Sequence, residues 1–287
     1  MTTYRRLLPE ELPQAAEWVA NLNTQTPHHI GFCGSTASDI LQDFQDDFIT
    51  GEQTKLVAHY EQNQLVGLIG LDVDDNSAEV WGPFQLHHSV SDSLALFEFT
   101  RNEFPEIQTY LFFLHADNAA QQQAVTEIGS EFRGKHLYYV LPRERVSPLS
   151  DSLIHVFQEM DKEALDRMHA SAFPDTYYDT QTLIERSASP DHLLLMAKLD
   201  SATIGYAYVE KAPDEQSAHL EYIAIDSAYR GKGLGKRWLQ SVLSETVTDD
   251  RIQQVTLTVS MDNEAANPLY EKVGFQKDKE LWFYKLG

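Results

Sequence analysis

One succession of features occurs twice in the sequence, and this repeat constrains the fold more than any other property. Residues 110–141, "YLFFLHADNAAQQQAVTEIGSEFRGKHLYYVL", resemble residues 255–286, "VTLTVSMDNEAANPLYEKVGFQKDKELWFYKL". Each begins with an alternating apolar run typical of a β-strand and ends on an aromatic strand. In each, an Asn precedes a Gly by eleven residues, over 118–129 and 263–274. The chain is therefore predicted to contain two similar folding patterns in tandem.

The repeat extends towards the N-terminus of each copy. Residues 54–86 resemble residues 192–225, because in both a strand meets a polar turn and then a glycine-bearing strand. Residues 141–152 are polar and contain two prolines, which is typical of a linker. We therefore expect two domains, 1–145 and 150–287.

Both copies are predicted to follow the order strand, helix, three-strand meander, helix, strand, helix, strand. This order indicates an α+β fold, a mixed and mostly antiparallel sheet flanked by helices. In the second copy the patterns predict helices at 161–170, 234–246 and 264–272, and strands at 193–199, 203–210, 218–225, 255–260 and 281–286.

Charge and composition exclude several classes of function. The chain has 287 residues, and its 22 Lys and Arg against 44 Asp and Glu give a net charge of −22, which argues against a nucleic-acid partner. No apolar run approaches the ~18–20 residues of a membrane span, and the N-terminus has no secretory signal. The single cysteine, Cys33, cannot form an internal disulfide. We expect a cytoplasmic protein without a membrane partner.

The stretch "RGKGLGKR", residues 230–237, places four bases and three glycines in an otherwise acidic chain. It follows a predicted strand and begins a predicted helix. The start of a helix has about four unpaired N–H groups and a positive dipole end. Glycines let those groups converge on one anion, and Arg230, Lys232, Lys236 and Arg237 add positive charge. The stretch is therefore predicted to bind a diphosphate.

Two well-known phosphate loops do not match this stretch. Only three residues separate Gly231 from Gly235, and Arg237 follows Lys236 where a nucleotide triphosphatase loop needs Ser or Thr. The pattern G-x-G-x-G also differs from the dinucleotide fingerprint. A flexible, solubilising turn remains the alternative to a phosphate site.

Residues 221–239, "EYIAIDSAYRGKGLGKRWL", followed by 263–275, "NEAANPLYEKVGF", resemble the GCN5-related N-acetyltransferase (GNAT) family, which transfers acyl groups from acyl-CoA. The family's phosphate loop reads Arg/Gln-x-x-Gly-x-Gly/Ala, and residues 230–235 match it throughout. The resemblance covers residues 150–287. The first copy has "PFQLHHSVSDSL" at 83–94 instead, without the glycines or a base, so it is expected to be a degenerate GNAT-like domain.

The resemblance implies a site for acetyl-CoA. The diphosphate is expected on the backbone of residues 230–235, and the pantetheine arm along the strand at residues 222–225. Alternation along that strand predicts Leu220, Tyr222 and Ala224 on one face, opposite the face of Glu221, Ile223 and Ile225. The residues expected to bind the cofactor are Ile223, Ala224, Ile225, Arg230, Gly231, Lys232, Gly233, Leu234, Gly235, Lys236 and Asn263.

Acyl transfer to an amine requires a base, a polarised carbonyl and a proton for the leaving thiolate. Glu221 and His219 are two residues apart on a predicted strand and should point to the same side. The resemblance implies that acids or histidines of this strand act as the base, and Glu221 is the preferred candidate. Pairing with a cationic substrate or a surface lysine is the alternative role for Glu221.

Tyr270 stands where the family places a tyrosine that protonates the CoA thiolate; a packed core aromatic is the alternative reading. In the first copy Val125 occupies this position. Asn263 is expected to cap the following helix.

Covalent and metal-assisted mechanisms are disfavoured. Cys33 lies in the degenerate copy, and no Ser/His/Asp arrangement has a recognisable spacing. The histidine pairs at 28–29 and 87–88 lack metal-ligand spacing and are expected in solvated loops. We therefore expect no metal, and direct attack in a ternary complex.

The sequence thus predicts an acetyl-CoA-dependent N-acetyltransferase that acts on a small amine. The acceptor is expected near 173–183, where Phe173, Tyr177 and Tyr178 could form walls beside Asp175 and Asp179. A different acyl group or acceptor, or a CoA-binding sensor without catalysis, are the alternatives. The sequence does not indicate the oligomeric state.

Overall fold

The computed structural model describes residues 2–51, 53–174, 176–200 and 202–287. The chain forms two compact units. The first unit contains the residues up to His136 together with Lys279–Gly287, and the second unit contains Leu137–Asp278. The limits predicted for the domains, 1–145 and 150–287, follow the sequence repeats and not these units, and they stay a prediction.

The first unit contains a mixed sheet with helices packed on it. Its strands are β1 (Thr2–Arg6), β2 (Ile49–Thr50), β3 (Gln53–Thr54), β4 (Leu56–Glu61), β5 (Gln64–Asp74), β6 (Ser77–Gln85) and β7 (Thr109–His115). Its helices are α1 (Leu12–Asn23), α2 (Ala37–Asp46), α3 (Val90–Glu103) and α4 (Ala119–Glu127). The strand β8 (Glu131–Pro142) begins in this unit and ends in the second.

The second unit repeats this plan. It contains the strands β9 (Ile154–Val156), β10 (His192–Leu199), β11 (Ala202–Ala212), β12 (Ser217–Ile225) and β13 (Gln254–Ser260), and the helices α5 (Lys162–Ala172), α6 (Thr180–Arg186), α7 (Leu234–Thr246) and α8 (Asn267–Val273). The last strand, β14 (Gln276–Leu286), begins in this unit and ends in the first. Short 3₁₀ turns lie at Pro9–Glu11, Arg143–Arg145, Glu159–Asp161, Pro213–Glu215 and Ser227–Tyr229.

Each unit pairs its strands in the same pattern. The order is β1-β4-β5-β6-β7-β14 in the first unit and β9-β10-β11-β12-β13 in the second. All of these pairs are antiparallel except β6–β7 and β12–β13, which are parallel. The predicted α+β class, with a mixed and mostly antiparallel sheet flanked by helices, is confirmed.

The closing strand of each repeat continues from its own unit into the other unit. Leu137, Tyr139 and Leu141 of β8 lie in the core of the second unit, although β8 ends the first repeat. Tyr284 of β14 lies in the core of the first unit, where β14 pairs with β7. Each repeat ends on an aromatic strand, as expected, and each of these strands contributes to both units. Both strands have the same alternating aromatic pattern, which fits either sheet.

Two separate cores cover the faces of the second sheet. The stripe predicted on α7 is confirmed, because Trp238, Leu239, Val242 and Leu243 are buried on one face. Leu165 and Met168 of α5 are buried in a different cluster with Tyr206 and Tyr222. The strand β12 thus runs between two cores, and its loop to α7 lies at the end of the sheet.

Candidate functional site

The strand β12 contains a β-bulge at Glu221. Tyr222 lies opposite Tyr208 of β11, and Leu220 lies opposite the next residue, Val209. No residue of β11 therefore lies opposite Glu221 in the strand register. An extra residue of this kind re-aims the side chains that follow it. Glu221 therefore lies at the point where the register between β12 and β11 shifts by one residue.

This bulge corrects the predicted alternation. Leu220 packs in the α7 core, whereas Tyr222 and Ala224 pack in the α5 core. Ile225 lies in the α7 core and Ile223 packs against it. Leu220 therefore does not share a face with Tyr222 and Ala224, because the extra residue shifts the alternation by one position.

The strands β12 and β13 separate after a short parallel ladder. Their pairing covers residues 217–219 and 254–256, and no further pair joins them in the described part of the chain. Asp226 donates its N–H to Ile204 of β11. Because the backbone groups of successive strand residues point to opposite edges, Ile223 and Ile225 direct theirs to the open edge. Ala224 directs its own towards β11.

The loop before α7 is open and shaped by glycines. Gly231 and Gly233 have φ angles of 75° and 78°, in the left-handed region that favours glycine. No atom lies within 4 Å of a Cβ placed at either position. Gly233 is the N-cap of α7, and no side chain caps this end. Among the described residues, no group accepts a hydrogen bond from the N–H groups of residues 231–236. These N–H groups are free to bind an anion.

The four bases of the loop are not equivalent. The Arg237 guanidinium donates to both carboxylate oxygens of Asp151, at 2.6 and 2.5 Å, and lowers the pKa of that carboxyl. Arg230 donates from Nε to the carbonyl of Ile225 at 2.9 Å, and Lys232 donates to Ala228 at 3.1 Å. Asp151 therefore offsets the charge of Arg237, so that the four bases do not contribute equally to the positive charge of the loop.

Tyr270 is buried on α8, with an exposed fraction of 8%. Its ring lies 6.1 Å from that of Tyr139 and 5.8 Å from that of Phe275, between centroids. Burial raises the pKa of Tyr270 to about 12. No hydrogen-bond partner of its hydroxyl is found among the residues that the structure describes. The phenol is therefore protonated at neutral pH and can donate its proton.

The turn before α8 is built by two asparagines. Asn263 accepts a hydrogen bond from the Ala266 N–H at 3.1 Å, so it caps this turn, whereas α8 itself begins at Asn267. The Asn267 amide donates to the carbonyls of Ser260 and Met261, each at 3.1 Å. Asn267 was not among the residues predicted from the sequence, although an Asn-Pro pair at a predicted helix start could have indicated it.

Glu221 and His219 lie close together, as expected. The distance from His219 Nε2 to Glu221 Oε1 is 3.8 Å. The other His219 nitrogen, Nδ1, lies 2.8 Å from the Thr256 hydroxyl. Tyr177 donates its hydroxyl to Glu221 Oε2 at 2.8 Å. Desolvation of that hydroxyl, reinforced by the Glu221 charge, raises the pKa of Tyr177.

An aromatic cluster surrounds Glu221 on the α5 side. Phe173 and Tyr178, both expected as acceptor-site walls, belong to it with Tyr177. The ring centroids of Phe173 and Tyr222 are 5.0 Å apart, and those of Tyr177 and Tyr178 are 4.4 Å apart. Thr176, which the sequence analysis missed, lies with its hydroxyl 2.5 Å from that of Tyr222. Phenol rings beside a carboxylate favour the binding of an organic cation.

The two aspartates expected beside these walls have different outcomes. The Asp179 carboxylate accepts the Thr182 N–H at 2.7 Å and caps α6. Its side chain is therefore engaged in helix capping. Asp175 lies outside the described residues.

The histidine pairs differ from their expected environment. His28 and His29 are buried, with exposed fractions of 8% and 7%, and their placement in a solvated loop is wrong. His87 and His88 are exposed. Within the described ranges no three His, Cys, Asp or Glu side chains are grouped to bind one metal ion. No helix of the described residues is long and apolar enough to cross a membrane.

Comparisons with known proteins agree with this geometry. Residues 157–275 match the model of the acetyltransferase (GNAT) family. Residues 157–275 are therefore similar to the GNAT family of acetyltransferases. It is 36% identical over 94 residues to the N-alpha-acetyltransferase RimI of Mycobacterium tuberculosis, an alignment that covers 31% of this chain and 56% of that protein. The chain thus spans little more than half the length of this relative.

Two solved structures share the fold over the full length. A GCN5-related N-acetyltransferase from Sphaerobacter thermophilus has a TM-score of 0.77 at 13% identity, covering 99% of this chain and 95% of that one. A tandem GNAT protein from the clavulanic acid biosynthesis pathway has a TM-score of 0.69 at 14% identity, covering 99% and 98%. At such identities, both comparisons show the fold alone.

Proposed function

We propose that the second unit is an acetyl-CoA-dependent N-acetyltransferase acting on a small cationic amine. The observation that carries this proposal is the divergence of β12 from β13 beside an uncapped helix start. The first feature offers an open strand edge, and the second offers unpaired N–H groups. A single ligand with an amide-bearing arm and a diphosphate, such as acetyl-CoA, would satisfy both.

The binding of acetyl-CoA would use the backbone more than side chains. The N–H groups of residues 231–236 would hold the diphosphate, with Arg230, Lys232 and Lys236 supplying charge. The backbone groups of Ile223 and Ile225 would pair with the pantetheine amides, as an added strand pairs with a sheet edge. Ala224 would contribute shape only, since its backbone groups face β11. Asn263, which accepts the Ala266 N–H, would stabilise the turn before α8.

The chemistry would need one base and one acid. Glu221 would accept the proton of the acceptor ammonium, with His219, 3.8 Å away, as the alternative base. The free amine would then attack the thioester carbonyl directly. Tyr270 would donate its hydroxyl proton to the thiolate as the C–S bond breaks. Because a thiol has an ordinary pKa of about 8.5, below that of the buried phenol, this transfer is uphill and requires the hydroxyl and the sulfur to be held in hydrogen-bond contact. We propose no covalent acyl-enzyme and no metal.

The acceptor class follows from the surroundings of Glu221. Tyr177, Tyr178 and Tyr222 would pack against the carbon skeleton, and their ring faces would attract an ammonium group. The net charge of −22 would draw cations and repel nucleic acids. We further propose action in the cytoplasm, without a lipid or nucleic-acid partner.

The deciding experiment measures thiol release from acetyl-CoA with a panel of primary amines, polyamines and a peptide with a free N-terminus. We expect turnover with at least one small amine and the acetylated amine as product. Binding of acetyl-CoA without turnover on any acceptor would contradict the enzyme and favour a CoA-binding sensor. Turnover on the peptide alone would replace the small amine by a protein N-terminus.

The base is identified by comparing Glu221→Gln with His219→Asn on the same acceptor. Loss of a general base lowers kcat by about 10²-fold or more. We expect this loss for Glu221→Gln and a smaller one for His219→Asn. The reverse order would make His219 the base, and near-normal rates in both would exclude the pair.

A further inference from the structure

A segment of the first unit lies in the gap between β6 and β7, which corresponds to the gap between β12 and β13 in the second unit. Gly31 donates its N–H to the Phe113 carbonyl at 2.6 Å, and His115 donates its N–H to the His29 carbonyl at 3.0 Å. Ile30 forms an antiparallel bridge with Leu114. Residues 29–31, here called the plug segment, therefore pair with β7 as a short strand.

The edge that the plug segment occupies is the one that faces β6. The ladder between β6 and β7 covers only residues 77–79 and 109–111. Thr109 donates its N–H to Asn76, just before β6. Residues 111, 113 and 115 direct their backbone groups to the same edge, because this direction repeats every two residues. The plug segment thus fills the gap where β6 has diverged from β7.

The repeat defines the corresponding edge in the second unit. With Asn118 aligned to Asn263, Phe113 corresponds to Thr258 and His115 to Ser260. In the described part of the chain, no backbone hydrogen bond joins Thr258 to the connection between α5 and α6. That connection contacts Tyr222 and Glu221 instead, through Thr176 and Tyr177.

The plug segment is held by buried side chains. Asn23, 1% exposed, accepts the Ile30 N–H at 2.8 Å and donates to the carbonyls of Cys33 and Gly34 at 3.0 and 2.9 Å. Asn118 donates to the His29 carbonyl at 3.3 Å. Because several buried hydrogen bonds hold the segment, all of them would have to break to free it.

Close packing also fixes the segment to the sheet. A Cβ on Gly31 would lie 2.4 Å from Phe113 Cδ1 and 2.9 Å from Leu281 Cδ1. Only glycine allows the chain to approach these side chains so closely. Ile30 itself is 1% exposed. The segment is therefore part of the core and not a surface loop.

We propose that the plug segment occupies the place of the pantetheine arm in the first unit, so that this unit binds no acyl-CoA. The correspondence rests on the proposed function of the second unit, because that proposal locates the pantetheine at the edge between β12 and β13. In the first unit the gap between β6 and β7 is thus filled by residues 29–31 of the same chain. The full chain would bind one acyl-CoA.

Amide hydrogen exchange on the full chain tests the plug segment directly. We expect the Gly31 and His115 amides to exchange at least about 100-fold more slowly than in an unfolded chain. Addition of coenzyme A should slow exchange at residues 231–236 and leave residues 29–31 and 109–118 unchanged. Fast exchange at Gly31 and His115, or slowing of residues 109–118 by coenzyme A, would overturn the proposal.

A matched pair of variants tests the close packing. Gly31→Ala should speed exchange of the His115 amide by about tenfold or more, because the new methyl group meets the Phe113 ring. Gly34→Ala is the control, since its Cβ would have its nearest neighbours at 3.7 and 3.8 Å. Equal exchange in both variants would contradict the packing of the plug segment. If Gly31→Ala does not fold, the exchange of the unaltered chain still decides.

Calorimetry with coenzyme A separates this proposal from the proposed function. We expect one molecule bound per chain, and none after Gly233→Asp. Two bound molecules, or one remaining in Gly233→Asp with the exchange effect at β7, would overturn the plug. If the unaltered chain binds none, the function proposed for the second unit fails, whereas slow exchange at Gly31 still supports a closed first unit.

Discussion

The starts of α3 and α7 occupy corresponding places in the two repeats, yet their backbone groups have different partners. Ser89 caps α3 by accepting the Asp92 N–H at 3.2 Å, and an aspartate stands in the first turn. Gly233 begins α7 without a side-chain cap. The two copies therefore keep the same strands and helices, while a side chain caps the helix start in one copy and none caps it in the other.

The gaps in the two sheets differ in the same way. In the first unit the plug segment pairs with Phe113 and His115 of β7, whereas in the described part of the second unit no backbone hydrogen bond joins the corresponding Thr258 of β13 to the connection between α5 and α6. The two copies therefore differ in what fills the gap of the sheet as well as in the glycine loop.

Gly233→Asp should abolish binding of coenzyme A, with an affinity loss of at least about 100-fold. The new carboxylate would repel the diphosphate, and the φ angle of 78° disfavours a side chain. Gly129→Asp in the first unit is a matched control, because Gly129 has a φ of 86° and no atom within 4 Å of its Cβ. Titration calorimetry should show normal affinity in the control. Equal losses of affinity in both variants would contradict a role of the glycine loop in binding the diphosphate.

Tyr270→Phe should lower kcat by about 10- to 100-fold with little change in the affinity for coenzyme A. Tyr139→Phe is the control, since the Tyr139 ring packs against that of Tyr270 while its hydroxyl donates to Glu271 at 3.2 Å. Steady-state rates and binding titrations on both variants check this. An unaltered rate in Tyr270→Phe would move the proton donor to water.

The raised pKa of Tyr270 has a consequence for pH. Because burial holds the pKa at about 12, the acid form should persist through neutral and moderately alkaline pH. In the unfolded chain the phenol ionises near 10. The folded state therefore binds more protons between pH 10 and 12, and stability should fall as pH rises through that window. Thermal unfolding of Tyr270→Phe should show a weaker fall than the unaltered chain.

Lys236→Ala and Arg237→Ala should separate two adjacent bases. Loss of Lys236 should weaken coenzyme A binding by about fivefold, the size of one exposed charge contact. Loss of Arg237 should change the affinity by less than about twofold, because Asp151 already pairs with it. It should instead lower the Tm, since the Asp151 side chain is only 3% exposed and would lose its partner. Equal effects on affinity would restore Arg237 to the phosphate site.

Local signals in the sequence predicted the second unit well. The helix predicted at 234–246 matches α7, and the strands near β10 to β13 agree within one or two residues at each end. A hydrophobic stripe, an alternating run and a glycine loop are each encoded within a few neighbouring residues. The placement of Tyr270 and of the loop in one unit follows from the same order of elements.

Long-range choices could not be read from the sequence. The bulge at Glu221 depends on the register against β11, which alternation along β12 alone does not reveal. The paths of β8 and β14, each of which runs from one unit into the other, depend on contacts with strands that are distant in the sequence. The burial of His28 and His29 depends on pairing of the plug segment with a strand more than 80 residues later.

A crystal structure with bound coenzyme A tests the central claim most directly. The account predicts the diphosphate within hydrogen-bond distance of N–H groups in residues 231–236, and the pantetheine beside Ile223 and Ile225. It also predicts that residues 29–31 stay paired with β7. Coenzyme A bound between β6 and β7, or with its diphosphate away from the glycine loop, would contradict it.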